Sequence, residues 1–303
     1  MKFSFEAQVS VRSPYRLDLT VDALRRLAAN VVDVAGEDGV YRRALRDDGG
    51  TNLLEVRQAS ARTLVVRVAG PRAQRWLPAA ERMIGARVEL SEWYRRVRPY
   101  PWLDFLAREL RGLRPPRYPS LWEALAHSIV FQQISIHAAA SIMRRLIEAA
   151  GEPVEHGGAV YYPFITPREL LACTDSHLRA AGLSANKVAH LRSAAGAVAS
   201  GEITDEEIER LPSLQASERL CAIRGIGPWS AAVVLLRGFG RLDVFPMKDS
   251  GVARSLRMLS GNPLLDAHAL LEGLGPVRGM LYFHLLLGRV RNLVPSRPDS
   301  EIT

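Results

Sequence analysis

Cysteine is scarce. Only Cys173 and Cys221 occur in 303 residues, too few for a disulfide scaffold or, unaided, for a metal or iron–sulfur cage, and a reducing cytoplasm is the expected setting. Long apolar runs are absent too: none reaches the roughly 18 residues needed to span a bilayer. The opening MKFSFEAQVSVRSPYRLD has no apolar core of a signal peptide. Neither a membrane protein nor a secreted one is expected. Hydrophobic mass and positive charge, by contrast, are plentiful. A hydrophobic fraction of 48% supports a packed core, and the length predicts two or three domains. Lys+Arg 40 against Asp+Glu 32 gives a net charge of +8 and a pI near 9.9. That balance suits a polyanionic partner, although genome base composition alone also enriches arginine.

The chain has two textures. In residues 1–100, Phe3, Phe5, Ala7, Val9 and Val11 alternate with polar residues, and Leu64-Val65-Val66-Arg67-Val68 reads as another strand. Val21, Leu24, Leu27 and Ala28 predict a helix, residues 40–45 a strand ending in the turn Asp47-Asp48-Gly49-Gly50, and residues 75–84 a second helix. The expectation is an α+β domain with an antiparallel sheet. Residues 93–119 are punctuated by Pro99, Pro101, Pro115, Pro116 and Pro119 and read as linker and lead-in, with a helix over 103–110. Helical periodicity dominates from Ser120, predicting an all-α domain over 101–295 and a tail at 296–303.

The most informative stretch is 220–252. Leu220 and Ile223, then Ala231, Val234 and Leu235, recur at helical spacing around Gly225-Ile226-Gly227, which predicts helix, hairpin, helix over 220–238. Glycines there permit a positive φ or close backbone approach, and Pro228 occupies the first helical position, where proline is best tolerated. Amide N–H groups at the positive end of a helix dipole can grip a phosphate without reading sequence. Gly225, Ile226, Gly227, Trp229 and Ser230 are the candidate donors. Asp249 stands before a further apolar helix carrying Val252, Leu256 and Leu259. An aspartate at that place is ordinarily a helix N-cap.

Elsewhere, Ser120 with Glu123 fits a capping box, and Thr166-Pro167-Arg168-Glu169 fits a helix start. Gln132 and Gln133, in an apolar stretch, suit helix bridging or capping. Residues 151–158 read as a loop, and residues 201–210 as the acidic start of a helix. Lys187 follows a small turn and reads either as a phosphate contact or as an exposed helix lysine.

The helix, the hairpin from Gly225 to Ala231 and the aspartate of DVFPMKD together resemble the helix-hairpin-helix DNA glycosylases, within them the bacterial 3-methyladenine DNA glycosylase II or AlkA type. Pro14-Tyr15 and the YRRAL strand resemble the N-terminal domain those enzymes add. The resemblance implies that Asp249 is the catalytic carboxylate. It also makes Gln133 the wedge that fills the gap left by an extruded base, with Gln132 a structural partner. Bifunctional relatives carry a lysine two residues after the second hairpin glycine, where this chain has Trp229. The absence of a four-cysteine cluster separates it from the endonuclease III and adenine-mismatch branches.

The activity this resemblance implies is hydrolysis of the N-glycosidic bond of alkylated purines in damaged double-stranded DNA, leaving an abasic site. Cleavage builds oxocarbenium character that a nearby carboxylate stabilises, while alkylation at N3 or N7 already activates the leaving base. The aromatic pocket positions of the characterised bacterial enzyme match Val233 and Leu286 here, so Trp229, Phe131, Trp122 and Tyr282 become the pocket candidates. Arg278 and His284 read as core tethers. Other lesions (hypoxanthine, ethenoadenine, 8-oxoguanine) and a non-catalytic damage-sensing DNA-binding protein are the alternatives. No cofactor, metal or obligate protein partner is expected, apart from a monovalent cation that family members often hold on the hairpin carbonyls. The expected location is the cytoplasm, at the nucleoid through DNA.

Overall fold

A computed structural model describes residues 2–47, 49–247 and 250–293. The N-terminal part is an antiparallel sheet of β1 (Phe3–Ser10), β2 (Val34–Ala35), β3 (Tyr41–Asp47), β4 (Gly50–Ser60) and β5 (Thr63–Ala69), ordered β1-β5-β4-β3-β2. The predicted alternation turns one face inward: Leu64, Val66 and Val68 are fully buried. Strand β4 escapes that test because both of its faces are covered. Leu54 and Val56 join the main core, while Leu53 meets Ala44, Ala69 and Tyr161 on the other side. Helix α1 (Leu17–Arg25) gives Val21 and Leu24 to the sheet's core and Leu19 and Ala23 to a second core, and α2 (Leu77–Met83) follows a 3-10 turn.

Two short helices, α3 (Ser91–Arg96) and α4 (Pro101–Glu109), occupy the proline-punctuated segment. It is not a linker. Trp93 is fully buried and donates its indole N–H to His284 Nε2 at 3.3 Å, and Leu103 and Leu106 share that second core. Pro101 sits in the first turn of α4, so proline here starts a helix rather than loosening the chain.

The helical part continues with α5 (Leu121–Val130), α6 (Ile136–Ala150), α7 (Pro167–Ala172), α8 (Asp175–Ala180), α9 (Ala185–Ala199), α10 (Asp205–Arg210), α11 (Ser213–Cys221), α12 (Pro228–Phe239), α13 (Ser250–Ser260), α14 (Ala267–Leu274) and α15 (Gly279–Val290). It is not purely helical. In and just after the segment read as loop, β6 (Val154–His156) and β7 (Ala159–Tyr161) form a hairpin closed by Gly157 and Gly158, both at positive φ; strands of three residues are too short to show a period of two. Among the described residues, no helix is long and apolar enough to cross a membrane.

Helix α5 is buried along its whole length, as expected of a central helix. It crosses α12 at Gly238, where a side chain would stand 2.8 Å from the Ala124 methyl. Ser120 caps α5 as expected, but Glu123 does not close the capping box, because its carboxylate is bound to buried Arg43 of β3. Arg43 also lies 2.7 Å from Asp33, which accepts the Tyr41 hydroxyl. A buried, charge-compensated chain thereby docks the sheet onto the helical core. Arg237 of α12 adds a second tie, donating to the Ala23 and Leu24 carbonyls at the end of α1.

Candidate functional site

The hairpin between α11 and α12 is anchored from below. Ile223 and Ile226 are each 5% exposed, and the Ile226 amide donates to the Ile223 carbonyl at 3.0 Å. That amide is spent inside the turn, which corrects the expectation that Ile226 offers a phosphate donor. Gly225 has φ +89°, and a Cβ there would lie 2.3 Å from the His190 ring of α9, so both backbone and space require glycine. Gly227 differs. It is the N-cap of α12 with φ −100°, and among the described residues beyond its chain neighbours no atom lies within 4 Å of where its Cβ would be. The first amide returned to the helix is that of Ala231, bonded to Gly227 O at 2.9 Å. The amides of Gly227 and Ser230 therefore belong to the first-turn set that a helix leaves for outside partners.

The turn after α5 is fastened to this hairpin. Gln132 Nε2 donates to Gly225 O at 2.9 Å and to Ser230 Oγ at 2.8 Å, and Ser230 is 2% exposed. The Ser230 hydroxyl is thus committed inside the fold. Gln133, the next residue, is exposed and holds φ +56°, a conformation uncommon outside glycine. Lys187, at the start of α9, does not reach toward a phosphate. Its Nζ donates to the Val130 and Gln132 carbonyls at 2.6 and 2.9 Å, capping the end of α5, and desolvation pushes its amine below the ordinary lysine range. Neither sequence reading of Lys187 survives, because its partners lie more than fifty residues away in sequence.

The pocket candidates separate. Trp122 is 4% exposed, with its indole N–H on the Ile165 carbonyl at 2.6 Å; it is core, drawn inward because α5 is buried on every side. Tyr282 packs edge-on against Phe283 on the second core. Phe131 is half-buried and lines a shallow cleft, of about 20 Å³, between the end of α1 and helices α5 and α6. Trp229 stands half-buried in the first turn of α12, and Val233 is 2% exposed. Asp249 lies outside the described residues, immediately before α13. His284 and Arg278 are tethers as expected: His284 Nδ1 meets Met280 O at 2.9 Å, and Arg278 donates to Gly275 O.

Two cleft residues carried no sequence signal. Arg26 caps α1 at φ +62°, is 8% exposed, and lays its guanidinium 4.6 Å above the Phe131 ring. His127 is 6% exposed and stacks on Tyr118 at 4.3 Å. Burial, reinforced by Arg26, Arg237 and Arg43, holds its imidazole well below the ordinary histidine range, so it is neutral. Arg25-Arg26 reads in sequence as a solvated helix end and His127 as one polar residue on an apolar helix; only tertiary packing reveals them. Among the described residues, no His, Cys, Asp and Glu cluster suited to a metal ion occurs.

A family model for the HhH-GPD superfamily of base excision DNA repair proteins matches residues 126–270, which span the Gln132–Gln133 turn and the hairpin. The DNA-3-methyladenine glycosylase of Bacillus subtilis is 32% identical over 171 residues, 56% of each chain. The chain spans about half the length of the curated relatives it matches. Of solved structures, a 3-methyladenine DNA-glycosylase from Archaeoglobus fulgidus superposes with TM-score 0.80 at 26% identity, covering 95% of this chain and 99% of that one. A DNA-3-methyladenine glycosidase from Bacillus halodurans gives TM-score 0.50 at 30% identity, covering 68% of this chain and 93% of that one. With its hairpin, tethered glutamine turn and N-terminal sheet, this chain belongs to the HhH-GPD superfamily of base excision DNA repair proteins and is of the AlkA type.

Proposed function

We propose that the chain is a monofunctional DNA glycosylase that hydrolyses the N-glycosidic bond of alkylated purines, 3-methyladenine and 7-methylguanine, turned out of duplex DNA, and leaves an abasic site. The observation that carries this reading is the fastening of Gln132 to the hairpin, which puts a phosphate grip and the exposed Gln133 on one rigid frame. Extruding a base costs a few kcal/mol, and a wedge with a backbone clamp offsets that cost. Gly227, Trp229 and Ser230 supply the clamp through backbone amides, and Gln133 fills the vacated stack.

Asp249 serves as the carboxylate that stabilises the developing oxocarbenium ion or orients water. Trp229, in place of a lysine, leaves no amine for a Schiff base at that position, which supports hydrolysis without strand cleavage. The aliphatic Val233 favours a second, wider reading in which the lesion range extends to neutral purines such as hypoxanthine and ethenoadenine. Damaged double-stranded DNA is then the partner, with no obligate protein partner, and the setting is cytoplasmic and nucleoid-associated.

No cofactor is required. A monovalent cation on the hairpin carbonyls fits the donor set: Ile223 O and Gly225 O each accept one hydrogen bond and each retains a second lone pair. The test of the reading is incubation with methylated duplex, scoring free base and strand breaks before and after alkali. Free methylpurine with breaks only after alkali supports it; breaks without alkali contradict monofunctional hydrolysis, and absence of any released base contradicts the substrate assignment.

A further inference from the structure

Gln133 is exposed, and its φ of +56° lies in a region that a glutamine holds only where its surroundings enforce it. That torsion is rotation about the Gln133 N–Cα bond, so it depends on how the preceding peptide is oriented. The preceding peptide carries the Gln132 carbonyl. Lys187 Nζ holds this oxygen at 2.9 Å, together with the carbonyl of Val130, the last residue of α5, at 2.6 Å. The Gln132 side chain is committed in turn to Gly225 O and Ser230 Oγ. Gln132 is therefore gripped twice, by its side chain to the hairpin and by its carbonyl to α9.

The second grip is made at a cost. Lys187 is half-buried, burial depresses its amine, and among the described residues no carboxylate pairs with it. What offsets the lost hydration is the end of α5, where unsatisfied carbonyls and the negative end of the helix dipole face the ammonium. One turn further along α9, His190 packs so closely under the hairpin that a Cβ on Gly225 would stand 2.3 Å from its ring. One helix thus supports the glutamine turn through Lys187 and the hairpin through His190.

We propose that Lys187 is a positioning residue for base extrusion: by holding the Gln132 carbonyl it keeps Gln133 in the left-handed conformation from which its side chain fills the vacated stack. The inference rests on the glycosylase reading and adds to it a residue that acts only through Gln132 and Gln133. Without the ammonium, the peptide between those two residues is free to turn. Gln133 then relaxes toward the negative φ that a residue with a Cβ prefers, and its side chain is aimed elsewhere. The Gln132 side chain still reaches the hairpin, so the phosphate grip remains while the wedge is lost.

The test is a double-mutant cycle on the full chain. Single-turnover release of 7-methylguanine is measured for the wild type, Lys187→Met, Gln133→Gly and the double variant, with melting curves to confirm folding. Lys187→Gln, which keeps an amide donor without the charge, takes the place of Lys187→Met if the latter does not fold. Lys187→Met is expected to slow release by about tenfold or more in the wild-type background, the scale of one hydrogen bond to a charged group. In the Gln133→Gly background it is expected to slow release by less than about twofold, because no side chain is left to aim. Lys187→Arg is expected to recover part of the loss. Equal slowing in both backgrounds, or no slowing in a folded Lys187→Met protein, overturns the inference. So does a log–log salt dependence of duplex affinity that is shallower by about one in Lys187→Met, the mark of a lost phosphate contact. Stack opening is read separately from 2-aminopurine fluorescence beside the 7-methylguanine. If the wild type frees no base yet this response depends on both Lys187 and Gln133, the positioning role stands and the excision reading falls. A response identical in wild type and Lys187→Met overturns the positioning role.

Discussion

Gln132 Nε2 lies 2.9 Å from the Gly225 carbonyl oxygen, joining a turn after α5 to a hairpin 93 residues further along the chain. The same nitrogen reaches Ser230 Oγ at 2.8 Å, so one amide holds the clamp and the wedge turn in register. Gln132→Ala leaves two acceptors without their donor, a loss of about 1–3 kcal/mol when such groups are buried. Melting temperature is expected to drop, and affinity for undamaged duplex to drop with it. Gln132→Glu, which faces the Gly225 carbonyl with a further acceptor, is expected to be worse by both measures.

The two hairpin glycines are expected to respond oppositely. Gly225→Ala forces a methyl to 2.3 Å from the His190 ring at φ +89°, so large destabilisation, visible in chemical denaturation, is expected. Gly227→Ala meets no atom within 4 Å among the described residues beyond its chain neighbours and keeps an ordinary φ of −100°; stability is expected to change by less than about 1 kcal/mol. Its methyl projects into the open space beside the first-turn amides, so weaker duplex binding is expected from a protein that melts normally.

Gln133 separates stability from activity. Its φ of +56° costs a non-glycine residue roughly 1–2 kcal/mol. Gln133→Gly is expected to raise the melting temperature and lower the rate of base release, since nothing then fills the stack. A rate unaffected by Gln133→Gly and Gln133→Ala contradicts the wedge role.

Acid is expected to act through His284. Burial holds its imidazole down at about 4, against an ordinary 6.5, and Nε2 must stay unprotonated to accept from Trp93. Because the folded value is depressed, the unfolded chain takes up the proton first, and stability falls as pH drops from about 6.5 toward 4. The whole interval corresponds to a loss on the order of 3 kcal/mol. Melting temperature is expected to fall as pH drops across that window in the wild type, and the dependence to become shallower in His284→Gln, with buried His127 contributing the remainder.

Local rules were visible in the sequence where local causes operate. The alternation of β1 and β5, the Pro228 start of α12 and the helix start at Thr166, which the structure closes with a capping box, follow from neighbours within a few residues. Strand β4 was hidden because burial on both faces erases period-two contrast. Arg43 took Glu123 away from its capping box, and the Val130 and Gln132 carbonyls took Lys187 away from solvent. Arg26 is the extreme case, since its positive φ and its guanidinium over the Phe131 ring have no cue in the residues around it. Hairpin and glutamine turn were legible; the cleft that joins the domains was not.

The most direct test of excision by this chain is the single-turnover release of 7-methylguanine by wild type and Asp249→Asn, with duplex affinity measured in parallel. Loss of release by two or more orders of magnitude with affinity retained is the expected result, in line with removal of a group that stabilises a charged transition state. Release by Asp249→Asn at the wild-type rate would contradict the assignment of Asp249 as the catalytic carboxylate.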